Sequence, residues 1–355
     1  MVSLNVIAII VIAGFVAALV VGVFYYYNQI IKPSEQKQQP RIGNSGVNNT
    51  SNNGITPPQS NASSIITISS PYVKEFTFPK DVWPNAILVD KKGTVWTVGA
   101  RSQSLEAFDP ATQKIKSYPI PNSGAATGTA LVWTIVEGND GSIWFSGSGG
   151  IPLWRFDPSP EKFQAITSLS TSPIQMKVDE SGRIWYTILY SGKLGVIQKE
   201  GQSYVSKEIQ LENDSFPSGL QVNNGSVWIA QEAIGKITAF NVTYNSSSMV
   251  VNITKSAQYP IGESKLLSPT NNNTLFSPTD IVLHNNSAWV TEHGTAFVTQ
   301  YDTKSSKITR YPTALHPIHV STLPYWLASD LNMKAYGSMN IEATGWLFSI
   351  FRVRR

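Results

Sequence analysis

One short segment recurs along most of this chain, and it restricts the fold more than any other feature. Its copies read "VDKKGTVW", "GNDGSIW", "VDESGRIW", "VNNGSVW" and "LHNNSAW". Each is a polar turn, then a small or polar residue, an aliphatic one and a tryptophan. The tryptophans are Trp96, Trp144, Trp185, Trp228 and Trp289, at steps of 48, 41, 43 and 61 residues. The long step carries a polar insert, "GESKLLSPTNNNTLF". Upstream of most turns a proline opens an apolar alternation, as in "PNAILVD", "PIQMKVD", "PSGLQV" and "PTDIVL". Downstream come another alternating run and an Asp-containing turn, as in "LEAFDPATQKIKSYPI" and "VTQYDTKSSKITRYP".

Alternation of this kind gives strands with one buried face, and Asp/Asn-Gly turns reverse the chain between neighbours. Three or four short strands in each period make one antiparallel sheet, too small to bury its own faces. Stacking such sheets radially buries each against the next, and the large flat tryptophan fills the gap between them. Solenoids and sandwiches fit this period and hairpin density less well. The fold class expected is all-β, a β-propeller of four-stranded antiparallel blades.

The ladder of proline-led strand, G-x-[IV]-W and apolar-x-x-[FY]-D resembles the streptogramin B lyase (virginiamycin B lyase) family over about Tyr72 to Ala335. The resemblance implies a propeller. It also implies a magnesium-dependent elimination that opens a cyclic ester, run by histidine and glutamate side chains at one mouth of the channel. In that family the key histidines directly follow the proline that starts the inner strand of late blades. The matching positions here are Asn85, Ile174, Ser218, Thr279 and Tyr325, and none is histidine. That departure argues against the antibiotic-opening reaction.

Glu292 and His293, in "AWVTEHG", are the candidate catalytic pair. A histidine titrates near neutrality and suits proton transfer. The resemblance gives the pair a plainer meaning, since the family motif often runs W-F-T-E and Glu292 stands three residues after Trp289. The other blades hold Gly99, Gly147, Ile188 and Gln231 at that place, so the blade does not demand glutamate. Among the remaining histidines, His284 falls in a blade turn, and His316 and His319 of "HPIH" lack a third zinc ligand. "SGSGG" at Ser146–Gly150 lacks the Lys-Ser/Thr of a phosphate loop. The "FDP" aspartates, Asp109 and Asp157, are placed to cap turns.

"VIAIIVIAGFVAALVVGVFYYY", Val6 to Tyr27, is uncharged throughout and long enough for one bilayer crossing, with Tyr25, Tyr26 and Tyr27 suited to the interface. An uncleaved anchor is preferred to a cleaved signal, because the apolar run is long and no small-x-small site follows before the tyrosines. Lys32, Lys37 and Arg41 follow the span and favour a cytoplasmic bulk. Against that stand sequons at Asn48, Asn49, Asn61, Asn213, Asn224, Asn241, Asn245, Asn252, Asn272 and Asn285. With charged residues at only 14%, they favour export and glycosylation. The net charge of +4 is scattered, without a basic stripe for nucleic acid. The absence of cysteine excludes disulfides and thiolate chemistry.

A sixth unit begins at "PYWLASDLNMKAY", which aligns with "PNAILVDKKGTVW" and puts Tyr336 where tryptophan belongs. The pattern then collapses into "GSMNIEATGWLFSIFRVRR", without blade turns or strand alternation. Read one frame over, the codons that Tyr336 onward permit can spell "WFNEHRGNRLAIFD", a full blade continuation; Met339-Asn340 forces its glutamate. A frameshift near Ala335 is therefore expected, together with an open ring whose unpaired faces promote association.

The organisation expected is an anchor at 1–30, a disordered Asn/Ser/Pro-rich linker at 31–70, blades at 71–321 and an incomplete last blade at 322–355. The function expected is an extracytoplasmic binding module for a small molecule or a cell-surface protein or glycan, without a cofactor. A magnesium-dependent lyase or lactonase-like enzyme is the alternative.

Overall fold

The computed structural model describes residues 76–79, 82–121, 132–147, 150–223, 225–261, 278–292, 297–312, 323–330, 335–342 and 345–351. All belong to one compact unit, Phe76–Arg355. The anchor, the linker, the polar insert, His293, His316, His319 and five of the sequons (Asn48, Asn49, Asn61, Asn224 and Asn272) lie outside the described residues. Among the described residues no helix is long and apolar enough to cross a membrane.

Five four-stranded antiparallel sheets follow one another along the chain. The first joins β1 (Pro84–Val89), β2 (Val95–Gly99), β3 (Ser104–Asp109) and β4 (Lys114–Pro119). The second joins β5 (Ile135–Glu137), β6 (Ile143–Ser146), β7 (Leu153–Asp157) and β8 (Lys162–Ile166). β9 (Gln175–Val178), β10 (Ile184–Ile188), β11 (Lys193–Glu200) and β12 (Ser203–Gln210) make the third. In the fourth, β13 (Pro217–Asn223) and β14 (Ser226–Gln231) precede β15 (Lys236–Tyr244) and the long β16 (Val250–Pro260). The fifth holds β17 (Pro278–His284), β18 (Ser287–Glu292), β19 (Phe297–Asp302) and β20 (Ile308–Pro312). The first strands neighbour one another in chain order, from β1 through β5, β9 and β13 to β17, as the inner strands of propeller blades should.

The repeat motif has a physical reading in these sheets. Asp90 closes its turn by accepting the Lys92 and Thr94 amides at 2.9 and 2.8 Å, and its other oxygen takes the Trp96 indole N–H at 2.8 Å. Asp179 does the same for Ser181, Arg183 and Trp185. The carboxylate thus fixes turn and tryptophan together, which is why they recur as a unit. The ring then leaves its own sheet. Trp96 packs with Val132, Ile135 and Phe156 of the second sheet, Trp144 with Met176 and Tyr186 of the third, and Trp185 with Leu220 and Phe240 of the fourth. Trp228 packs against the cluster that includes Tyr301, and Trp289 sits with Leu327. Removing such a buried ring costs roughly 3–5 kcal/mol. The "FDP" aspartates cap turns as expected: the Asp109 carboxylate accepts the Ala111 amide at 2.9 Å, and the Asp157 carboxylate accepts the Ser159 amide at 3.2 Å. His284, expected in a blade turn, is half-buried and ends β17.

The sixth sheet corrects the expectation for the tail. Its residues form three antiparallel strands, β21 (Leu323–Asp330), β22 (Ala335–Glu342) and β23 (Gly345–Phe351). The segments are rich in aromatic residues and short of proline, so they pair despite losing the motif. The pairing is one residue out of step with the other blades. Leu88 faces Trp96 and Val282 faces Trp289, whereas Ala328 faces Gly337 and Tyr336 faces Ser329. Tyr336 is thus paired one step away from the register that the tryptophan holds in the other blades.

Candidate functional site

Four of the inner strands share a defect at their entry. Pairing with the second strand shifts register between Asn85 and Ile87, between Pro217 and Leu220, between Pro278 and Ile281, and between Pro324 and Trp326. Proline has no amide to offer a ladder, and a bulge beside it re-aims the residues that follow. The re-aimed residues are those after the prolines, among them Ser218, Thr279 and Tyr325. They meet at one end of the inner strands.

Hydroxyl groups tie this end together from blade to blade. Thr187 Oγ1 donates to the Ser218 carbonyl at 2.9 Å, Ser218 Oγ to the Thr279 carbonyl at 2.6 Å, and Thr291 Oγ1 to the Tyr325 carbonyl at 2.8 Å. Close approach of β13 to β17 is part of the design. A Cβ on Gly219 would stand 2.7 Å from the Asp280 Cα, so only glycine fits there.

Two carboxyl groups sit at this end. Asp280, 2% exposed, accepts from Gln175 Nε2 at 2.8 Å, from its neighbour Ile281 N at 2.8 Å and from Leu327 N at 2.7 Å. Gln175 lies on the inner strand two blades away, so this bond crosses the interior. Burial raises the Asp280 pKa, while Lys177 and the hydrogen bonds pull it back down. Glu232 begins the short 3-10 turn Glu232–Ile234, held down by bonds from Glu232 N to Phe216 O at 3.0 Å and from Ala233 N to Ser215 O at 3.3 Å. Its carboxyl keeps some solvent access but is surrounded by protein, which pushes its pKa up to about 7; hydroxyls of Ser218 and Thr279 offset part of that. Tyr325 is raised too, by burial first and then by the charges of Glu232, Tyr190 and Asp280.

Tyr325 interacts with both carboxyls and with Tyr190, and each tyrosine pairs with a second ring. Trp133 stacks on Tyr325 with centroids 6.5 Å apart, and Tyr190 meets Phe216 edge-on at 6.1 Å. Tyr190 and Phe216 also wall a cleft of about 320 Å³, with Ser191, Gly192, Gln210 and Asp214 among its other residues. Trp133 was not legible as a mouth residue, because Val132 stands where other blades have proline.

The sequence-predicted pair falls differently. Glu292 ends β18, is fully buried, accepts the Thr299 hydroxyl and pairs with Arg310 Nε at 3.1 Å. Arg310 also donates to the Ile261 carbonyl at 2.8 Å. The same three positions in the fourth blade are Gln231, Thr238 and Gln258. Thr238 donates to Gln231, and Gln258 Nε2 donates to Thr238 at 3.1 Å. Glu292 thus occupies a polar knot inside the blade. Glu232, four residues after Trp228, is the repeat counterpart of His293, four after Trp289. Repeat position was the signal that could have found it.

The donor set tests whether magnesium would fit. Both Asp280 oxygens are taken by N–H donors, whereas among the described residues the groups that meet the Glu232 carboxyl are hydroxyls. Among the described residues no three His, Cys, Asp or Glu side chains converge as a metal would need.

No family model and no curated protein matches the chain. Solved structures do. A streptogramin B lyase is similar at 18% identity and TM-score 0.54, over 73% of this chain and 77% of that one. A catalytically inactive virginiamycin B lyase from Staphylococcus aureus, with quinupristin, is similar at 17% identity and TM-score 0.56, over 78% of this chain and 86% of that one. The extracellular domain of a protein described as a hybrid two component system from B. thetaiotaomicron is similar at 16% identity and TM-score 0.51; 75% of this chain matches 33% of that one. What these likenesses share with the chain is the fold, a β-propeller of the streptogramin lyase kind.

Proposed function

We propose that this chain is a membrane-anchored, extracytoplasmic propeller that binds a ligand at the inner-strand mouth and does not open cyclic esters. The convergence of Ser218, Thr279 and Tyr325 on Glu232 carries the reading. The described part of the mouth offers the Glu232 and Asp280 carboxyls, several hydroxyls and aromatic rings, which suits holding a ligand. The lyases of the same fold favour an enzyme as the second reading, in which Glu292 and His293 act with magnesium. Incubating the purified domain with a streptogramin B and a lactone panel, with and without magnesium, separates the two. No ring opening is expected; turnover that disappears in Glu292→Ala or His293→Ala would establish the enzyme.

The exported location rests on the uncharged Val6–Tyr27 span and on the sequons. Every sequon asparagine among the described residues, Asn213, Asn241, Asn245, Asn252 and Asn285, is exposed, which glycosylation requires. Protease treatment of intact cells tests it: the propeller should be cut without lysis, and protection until lysis would place it inside.

A further inference from the structure

We propose that the mouth ligand presents an organic ammonium group, held by Glu232 between the aromatic side chains of Trp133, Tyr190, Phe216 and Tyr325. This inference rests on the mouth being the binding site and adds the chemistry of what enters it.

Three independent observations lead there. The first is charge. Among the described residues, Glu232 is met by the hydroxyls of Ser218 and Thr279 rather than by a cation. Lys177 acts on Asp280, and the nearby cleft adds the Asp214 carboxylate. A carboxylate kept from water without a counter-charge is costly, and a ligand cation removes that cost.

The second is an unused acceptor. Gln175 is 6% exposed and gives its Nε2 to Asp280, yet its Oε1 has no hydrogen-bond partner among the described residues. Buried acceptors are nearly always satisfied, and an orphan beside a carboxylate calls for a donor. An ammonium ion, or a water it brings, is such a donor. An anionic or purely acceptor ligand would make both groups worse off.

The third is the lining. Tyr190 is 87% exposed although it touches Phe216, and Trp133 is also accessible while stacked on Tyr325. Rings left open to solvent offer apolar surface that a ligand can cover. Ring faces attract cations, and several faces around one carboxylate form the usual cage for alkylammonium groups. The cleft of about 320 Å³ beside Tyr190 and Phe216 accommodates a small organic cation but is far larger than a bare metal ion needs.

The test uses the whole chain labelled with 5-fluorotryptophan, with the Trp133 resonance assigned by Trp133→Phe. Choline is titrated against its neutral isostere 3,3-dimethylbutan-1-ol. Choline should move the Trp133 signal with an affinity at least about tenfold above that of the alcohol. Glu232→Gln should erase the difference. Tyr190→Ala, at an exposed side chain that leaves the fold intact, should weaken choline more than the alcohol. Equal binding of the two compounds, or a preference that survives Glu232→Gln, overturns the cation while leaving the mouth as the binding site. A Trp133 signal unmoved by either compound overturns both readings.

Discussion

Glu292 and Glu232 occupy neighbouring positions of the same repeat in consecutive blades, three and four residues after the blade tryptophan, and they have opposite surroundings. Glu292 points into its blade, where Thr299 and Arg310 consume its charge. Glu232 steps past the end of its strand into a 3-10 turn and comes to lie at the mouth, with hydroxyls for company. Position in a repeat therefore sets where a side chain stands, but the residue on the neighbouring strand decides whether its charge is spent or available. Arg310 spends one; its fourth-blade counterpart Gln258 could not have.

The comparison breaks most visibly at Glu292. Glu292→Ala leaves a buried Thr299 hydroxyl and a partly buried Arg310 without their acceptor, and should lower unfolding stability by about 3 kcal/mol. Rebuilding the fourth-blade knot with Glu292→Gln and Arg310→Gln together should recover all but about 1 kcal/mol. Denaturant melts of the three proteins check both figures. A Glu292→Ala protein of normal stability would free Glu292 for another role.

A smaller effect separates Glu232. Its folded pKa of about 7 lies above its ordinary 4.5, so the folded state holds the extra proton between those values. Stability from this group is full below pH 4.5 and is lost as pH rises toward 7, at up to about 1.4 kcal/mol per pH unit. The described groups that interact with it are Ser218, Thr279 and Tyr325; the tyrosine stays neutral across this range. Glu232→Gln should flatten the slope over that window, measured as urea midpoints from pH 4 to 8. An unchanged slope would assign it elsewhere.

The fold was legible because its cause is local. Asp90 with Trp96, and Asp179 with Trp185, bind turn to tryptophan within six residues, so the pattern survives in the sequence. Half of the site was legible for the same reason: the residues after the inner-strand prolines could be named before their meeting was seen. The rest depends on distance. Gln175 reaches Asp280 across 105 residues, and no spacing announces it. Trp133 follows a valine, and Glu232 lies one residue beyond the position that the motif highlights. The sixth sheet misled in the other direction, since its residues keep strand propensity after the motif is lost. The smallest-effect prediction concerns it. If the one-residue slip at Ala328–Gly337 reflects a shifted frame, the DNA past codon 336 carries further blades in the other frame; an early stop there would refute the shift.

The account turns on Glu232 being a water-poor, unspent carboxyl at a binding mouth. A carbon-13 titration of its side-chain carboxyl in the folded chain tests that directly. The midpoint should fall near 7 and drop when choline is present. A midpoint at the ordinary 4.5, indifferent to choline, would contradict the account.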